Sequence, residues 1–202
     1  MVRLVWWNID FQLRYNMKFR LQVDFRVEDK LVFFKEHDAL LKNWIDMLFL
    51  SQYGGDPSPD FWTISMTDTS NTARSQGSYR PFRIDCAAGV SAYGLVVGTG
   101  TNAVTLTDYK LQTQIAHGNG AGQLAYGAGS FVAPTTSGSD RYWDAVRTFT
   151  NNSGGDITIN EVGIYAFSSN PYYYCIARDL TGGVLIANTK VATLTYRFKI
   201  SV

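Results

Sequence analysis

Histidine and glutamate are scarce in this chain of 202 residues: there are two His, and Glu occurs only at positions 28, 36 and 161. These side chains supply most acid–base and metal chemistry, so both chemistries start short of material. His37 and His117 lie 80 positions apart beside turn or cap signals, and no Gly-x-Ser-x-Gly elbow surrounds a serine. Asp56 and Asp60 are too few carboxylates for a calcium loop. No catalytic site, metal or cofactor is expected.

An excess of one charge is missing too. Lys and Arg number 18 against 17 Asp and Glu, a net charge of +1, which removes the basic footprint of a nucleic-acid binder. No apolar run approaches the ~20 residues of a membrane span, so no membrane partner is expected either. Trp6, Trp7, Asn8 and Asp10 interrupt any apolar leader. The expectation is therefore a chain that stays in a reducing compartment, with Cys86 and Cys175 as free, buried thiols.

Aromatic residues make up 14% of the chain, and charged residues only 17%, below the roughly 25% of an ordinary soluble domain. Such a composition favours β-structure whose surface is covered by neutral polar groups or by neighbours. Charge is also unevenly spread: residues 1–50 hold 8 basic and 7 acidic groups, leaving ten of each for the rest.

That first part carries the clearest period. Phe11, Leu13, Tyr15, Met17, Phe19, Leu21, Val23, Phe25 and Val27 alternate with polar residues, the pattern of a strand. At ~3.3 Å per residue such a strand reaches ~55 Å, against ~43 Å for the diameter of a globule of this length. It must bend or break at Asn16, or leave the globule. Glu28-Asp29-Lys30 reads as a turn, and Leu31 to Phe34 as a return strand. Asp38 is placed to cap a helix on which Leu40, Leu41, Trp44, Ile45, Leu48 and Phe49 share a face, and that helix is expected to lie on the hairpin.

Three parts follow: a hairpin-helix element over 1–55, a polar loop over 56–83 rich in Pro, Ser, Thr, Asp and Asn, and a body over 84–202. In the body, short apolar runs such as Leu95 to Val97, Tyr109 to Ile115 and Tyr142 to Thr150 alternate with turn signals. That spacing indicates an antiparallel β-sandwich, jelly-roll-like or immunoglobulin-like, with Phe149, Ile164, Ile176, Leu194, Phe198 and Ile200 between its sheets. The fold class is thus mainly β, with an N-terminal β-hairpin and one α-helix.

Gly98-Thr99-Gly100 and Gly118 to Gly122 lack the helix and the Gly-Lys-Ser/Thr of a phosphate loop, so they read as turns. Glu161, the only Glu in the last 166 residues, sits between Ile159 and Val162. A strand-embedded carboxylate paired with Arg147 or Arg178 suits that setting better than a general acid. Tyr172, Tyr173 and Tyr174 fit a strand, a subunit contact, or stacking on a sugar.

The segments Tyr93 to Gly100, Arg147 to Asn152, Ile157 to Tyr165, Ile176 to Asp179 and Leu194 to Ile200 resemble virion structural proteins of tailed phages and related archaeal viruses. The resemblance covers about the last half of the chain, together with the hairpin-and-helix start. It implies a β-sandwich in which Glu161-Val162-Gly163-Ile164-Tyr165 and Ala177-Arg178-Asp179 lie on adjacent strands, although Leu180-Thr181-Gly182-Gly183 lacks the proline the pattern places there. It also implies a non-enzymatic subunit of the head, connector or tail, located in the virion after synthesis in the host cytoplasm.

The expected partners are copies of the chain itself and other virion proteins, met through strand edges and apolar faces. Phe11, Leu13, Tyr15, Met17, Phe19, Leu21, Trp44 and Leu48 are the expected assembly interface. The alternative is a receptor- or glycan-binding module of a tail fibre or tip, with Tyr172, Tyr173 and Tyr174 against a host-surface glycan or protein.

Overall fold

The computed structural model describes residues 18–37, 40–52, 63–77, 82–168 and 172–201. Phe11, Leu13, Tyr15 and Met17, the cap residue Asp38, and Asp56 and Asp60 lie outside the described residues. The elements run β1 Lys18–Val27, β2 Lys30–His37, α1 Lys42–Gln52, β3 Thr63–Thr67, β4 Ala73–Gly77 and β5 Gly94–Gly98. They continue with β6 Ala125–Ser137, β7 Asp140–Thr150, β8 Ile157–Phe167, β9 Tyr173–Ile186 and β10 Val191–Ser201. The chain is mainly β, and its strands pair antiparallel in a five-stranded sheet β2-β1-β10-β7-β6, a three-stranded sheet β5-β8-β9 and a separate β3-β4 pair. The arrangement is compatible with a β-sandwich.

The alternation of β1 shows directly in the larger sheet. Leu21, Val23 and Phe25 are fully buried, and the register sets them opposite Phe198, Tyr196 and Leu194 of β10. Those in turn face Trp143, Ala145 and Arg147 of β7, so each row of inward side chains crosses several strands. Glu28 and Asp29 both take left-handed angles, φ 48° and 62°, a two-residue connection whose twist matches that of the flanking strands. Because β1 pairs with β10 along its whole length, β1 and β2 form the flank of the larger sheet rather than a layer of their own.

α1 packs chiefly against β9 and β3, and reaches the hairpin through Trp44 on Phe19 of β1. The reason is Asn43, whose buried amide donates to the carbonyls of Thr67 at 3.0 Å and Cys175 at 3.2 Å. These bonds turn the stripe Asn43, Met47 and Leu50 inward and leave Ile45, Leu48 and Phe49 exposed. The stretch 56–83 is likewise more than a loop, since it holds β3 and β4. Asp68 builds their turn: Oδ1 accepts the N–H groups of Ser70 (2.9 Å) and Thr72 (3.0 Å), and Oδ2 accepts Arg74 Nε at 2.8 Å.

Phe149, Ile164, Ile176, Leu194 and Phe198 are buried, whereas Ile200 is 40% exposed at the end of the larger sheet, where no described residue covers it. Tyr109 to Ile115 is no strand. It belongs to a segment, residues 99–115, that folds across β5 and β8. Cys86 and Cys175 are free and buried.

Candidate functional site

Glu161 lies on β8 beneath that segment, fully buried. Its Oε1 accepts the N–H groups of Gly100 (3.1 Å) and Thr113 (2.7 Å), and its Oε2 accepts the N–H of Gln112 (2.9 Å) and Arg178 Nε (2.8 Å). Arg178, on the adjacent β9, also donates to Asp108 Oδ2 at 2.8 Å and to the Asn102 carbonyl at 3.0 Å. Thr105 holds Asp108 in turn, through its N–H (3.0 Å) and hydroxyl (2.7 Å). Burial alone raises the Asp108 carboxyl, but the Thr105 bonds and Arg178 outweigh it and leave the group below its usual value.

Each oxygen of Glu161 thus carries two donors, and three of the four come from the backbone of residues 99–115. The carboxylate fastens that segment to the sheet. Glycine permits the approach: a Cβ on Gly98 would stand 2.6 Å from Glu161 Oε1 and from the Thr113 carbonyl, and one on Gly100 2.5 Å from Glu161 Oε1. Gly98-Thr99-Gly100 is therefore where the backbone closes on a buried carboxylate.

Arg147 belongs to the other sheet and does not meet Glu161. Its guanidinium donates to the carbonyls of Gly127 (2.8 Å), Leu95 (2.9 Å), Tyr93 (3.3 Å) and Val90, and lies 4.8 Å from the centroid of the Tyr126 ring. Burial holds its pKa below the usual arginine value. His117 Nδ1 accepts the Tyr126 N–H at 3.1 Å, a structural bond. Among the described residues no three His, Cys, Asp or Glu side chains gather as a metal would require, and no helix is long and apolar enough to cross a membrane.

The three consecutive tyrosines have separate fates. Tyr172 lies under the Arg74 guanidinium at 4.3 Å, Tyr173 stacks on Tyr93 at 5.9 Å with the planes 8° apart, and buried Tyr174 meets Phe82 edge-on. Tyr173 also lines an open cleft of about 290 Å³ with Thr69, Lys110, Gln112, Gln114 and Tyr165.

A continuous row of rings crosses the inward side of the larger sheet toward the end where β1 begins and β10 stops. Phe131 meets Trp143 at 6.1 Å, Trp143 stacks on Phe198 at 4.1 Å, Phe198 meets Trp44 at 5.5 Å, and Trp44 stacks on Phe19 at 6.2 Å. Both ends of the row reach solvent: Phe131 is 46% exposed and Phe19 39%, with Ile200 directly opposite Phe19 in register. Of the expected interface residues, Phe19 and Trp44 fall in this row, Leu48 is exposed on α1, and Leu21 is fully buried. Phe131, Trp143 and Ile200 join it from distant segments. The alternation leading into Ile200 and through Tyr142 to Thr150 is the sequence signal that could have marked two of them.

No family model, curated protein or solved structure matches this chain.

Proposed function

We propose that this chain is a non-enzymatic structural subunit of a virion, in the head, connector or tail, that assembles with copies of itself and with other virion proteins. The supporting observation is the ring row with exposed ends. Full burial of a large apolar side chain contributes ~1.5 to 3 kcal/mol, so covering the remaining surface of Phe19, Phe131 and Ile200 is worth ~2 to 4 kcal/mol in all. That is weak for one contact and ample when an assembly repeats it. The virion part of the reading rests on the sequence resemblance. The finer architecture goes with it: a jelly-roll-like or immunoglobulin-like sandwich over 84–202 and a hairpin-helix element over 1–55 that mates with neighbours.

Sedimentation of the full chain across a wide concentration range tests the reading. Concentration-dependent association that weakens in the Phe19→Ser/Ile200→Ser double variant supports it. A wild type that stays monomeric throughout refutes self-assembly.

The cleft beside Tyr173 favours a second reading, a glycan- or receptor-binding module, because a half-buried ring with amide and ammonium side chains around it suits a sugar. Saturable binding in a glycan screen, lost in Tyr173→Ala, supports that alternative.

A further inference from the structure

We infer that β2 is the seam through which two copies of this chain join, each β2 pairing antiparallel with the other about a twofold axis. The inference rests on the assembly reading above and names its partner.

A sheet edge is a row of unpaired N–H and C=O groups, and the two main sheets have four such edges. Three are occupied or interrupted. Along β5, the segment 99–115 takes the edge: Thr99 N–H bonds the Thr113 carbonyl at 2.9 Å and Ile115 N–H bonds the Val97 carbonyl at 3.0 Å. Along β9, the N–H groups of Leu41 and Thr69 bond the carbonyls of Ile176 (3.1 Å) and Tyr173 (2.9 Å). Its far half is bent at Gly182 and Gly183, both at positive φ. Along β6, Gly129 N–H bonds the Cys86 carbonyl at 2.8 Å, and the exposed remainder carries Pro134 within a register shift between Val132 and Thr135.

Among the described residues β2 has no such cover. It runs eight residues without proline, carries one bulge at Val32, which the register with β1 skips between Leu31 and Phe33, and exposes about half of Leu31, Val32 and Phe34. Charges normally guard an edge of this kind. Here they are drawn back onto the chain: Lys35 Nζ lies 3.1 Å from Asp179, and Glu36 lies 2.9 Å from Arg20 and 3.2 Å from Lys199. From Leu31 to Phe34 the edge is uncharged, so a second copy meets no repulsion there. Among the described residues a head-to-tail contact has no other open edge of the main sheets to use, whereas like against like closes in one step.

The test is sedimentation of the full chain as wild type, Phe34→Lys and Leu31→Lys, with the melting temperature of each, and amide exchange of the wild type at low and high concentration. The expected result is a dimer as the first associated species, weakened at least tenfold in either folded variant, and concentration-dependent protection within residues 31–36. If the wild type associates but both variants do so within twofold of it, or if exchange in 31–36 stays constant while dimers form, β2 is not the seam and the assembly reading survives. Open-ended growth without a dimer step overturns the twofold. A wild type that never associates overturns both.

Discussion

Replacing Glu161 by alanine removes the acceptor of four hydrogen bonds at once. The N–H groups of Gly100, Gln112 and Thr113 lose the buried carboxylate that partners them, and Arg178 keeps Asp108 as its remaining carboxylate. Removing one member of a buried pair costs ~3 to 5 kcal/mol. Each stranded donor adds ~1 to 3 kcal/mol until the segment loosens and admits water. Loosening caps the sum, so the expected loss is ~3 to 5 kcal/mol, or ~6 to 20 °C in melting temperature at ~2 to 4 °C per kcal/mol for a chain of this size. Thermal and urea unfolding by circular dichroism measure the loss, and amide exchange locates it in residues 99–115. Glu161→Gln should fall between wild type and alanine, since one amide oxygen still serves two N–H groups while the NH₂ faces the other two donors. A melting temperature within ~2 °C of wild type, with exchange of 99–115 unchanged, would refute the fastening role.

Gly98→Ala should cost ~1 to 3 kcal/mol in the same urea assay, because its Cβ meets a backbone carbonyl and the buried carboxylate at 2.6 Å; a neutral result would contradict that close approach. Arg147→Lys should also lower the urea midpoint, since one ammonium cannot span the carbonyls of Val90, Leu95 and Gly127 that the guanidinium joins; an unchanged midpoint would count against it. Stability should fall on acidification: Asp68 and Asp108 are held below their ordinary value of 3.8 when folded, so their contribution is present above the unfolded pKa and disappears as pH drops through the folded one. Unfolding midpoints should therefore hold steady down to about pH 5 and decline below about pH 4, less steeply in Asp108→Asn; a rise in stability over that range would contradict the assignment.

The strand character of β1 and β10 is plain in their alternation, and the turn at Glu28 and Asp29 in its residue types. Helix α1 is visible as an element, but its buried side only in part. Six apolar residues suggest one face; Leu40, Leu41 and Trp44 of them do pack inward, but the amide of Asn43, tying carbonyls of β3 and β9, leaves Ile45, Leu48 and Phe49 exposed. The β3-β4 hairpin is hidden in a polar stretch for a similar reason, since Asp68 and Arg74 make a turn whose composition reads as loop. Spacing leaves the partner of Glu161 open between Arg147 and Arg178, because nothing local states which sheet β7 or β9 joins. Sheet membership brings Arg178 to 2.8 Å, whereas Arg147, reaching over from the larger sheet, ends on the carbonyls of Val90 and Leu95. The ring row is the least legible feature: Phe19, Trp44, Phe131, Trp143 and Phe198 meet only through long-range register.

Hydroxyl-radical footprinting of the full chain, dilute and concentrated, tests the central claim most directly. Assembly through the end of the larger sheet that no described residue covers predicts that oxidation of Phe19, Phe131 and Ile200 drops as β2-paired dimers associate further, while Leu106 and Leu185, exposed elsewhere, react as before. Growth beyond the dimer that leaves Phe19, Phe131 and Ile200 as reactive as in the dilute chain would contradict it.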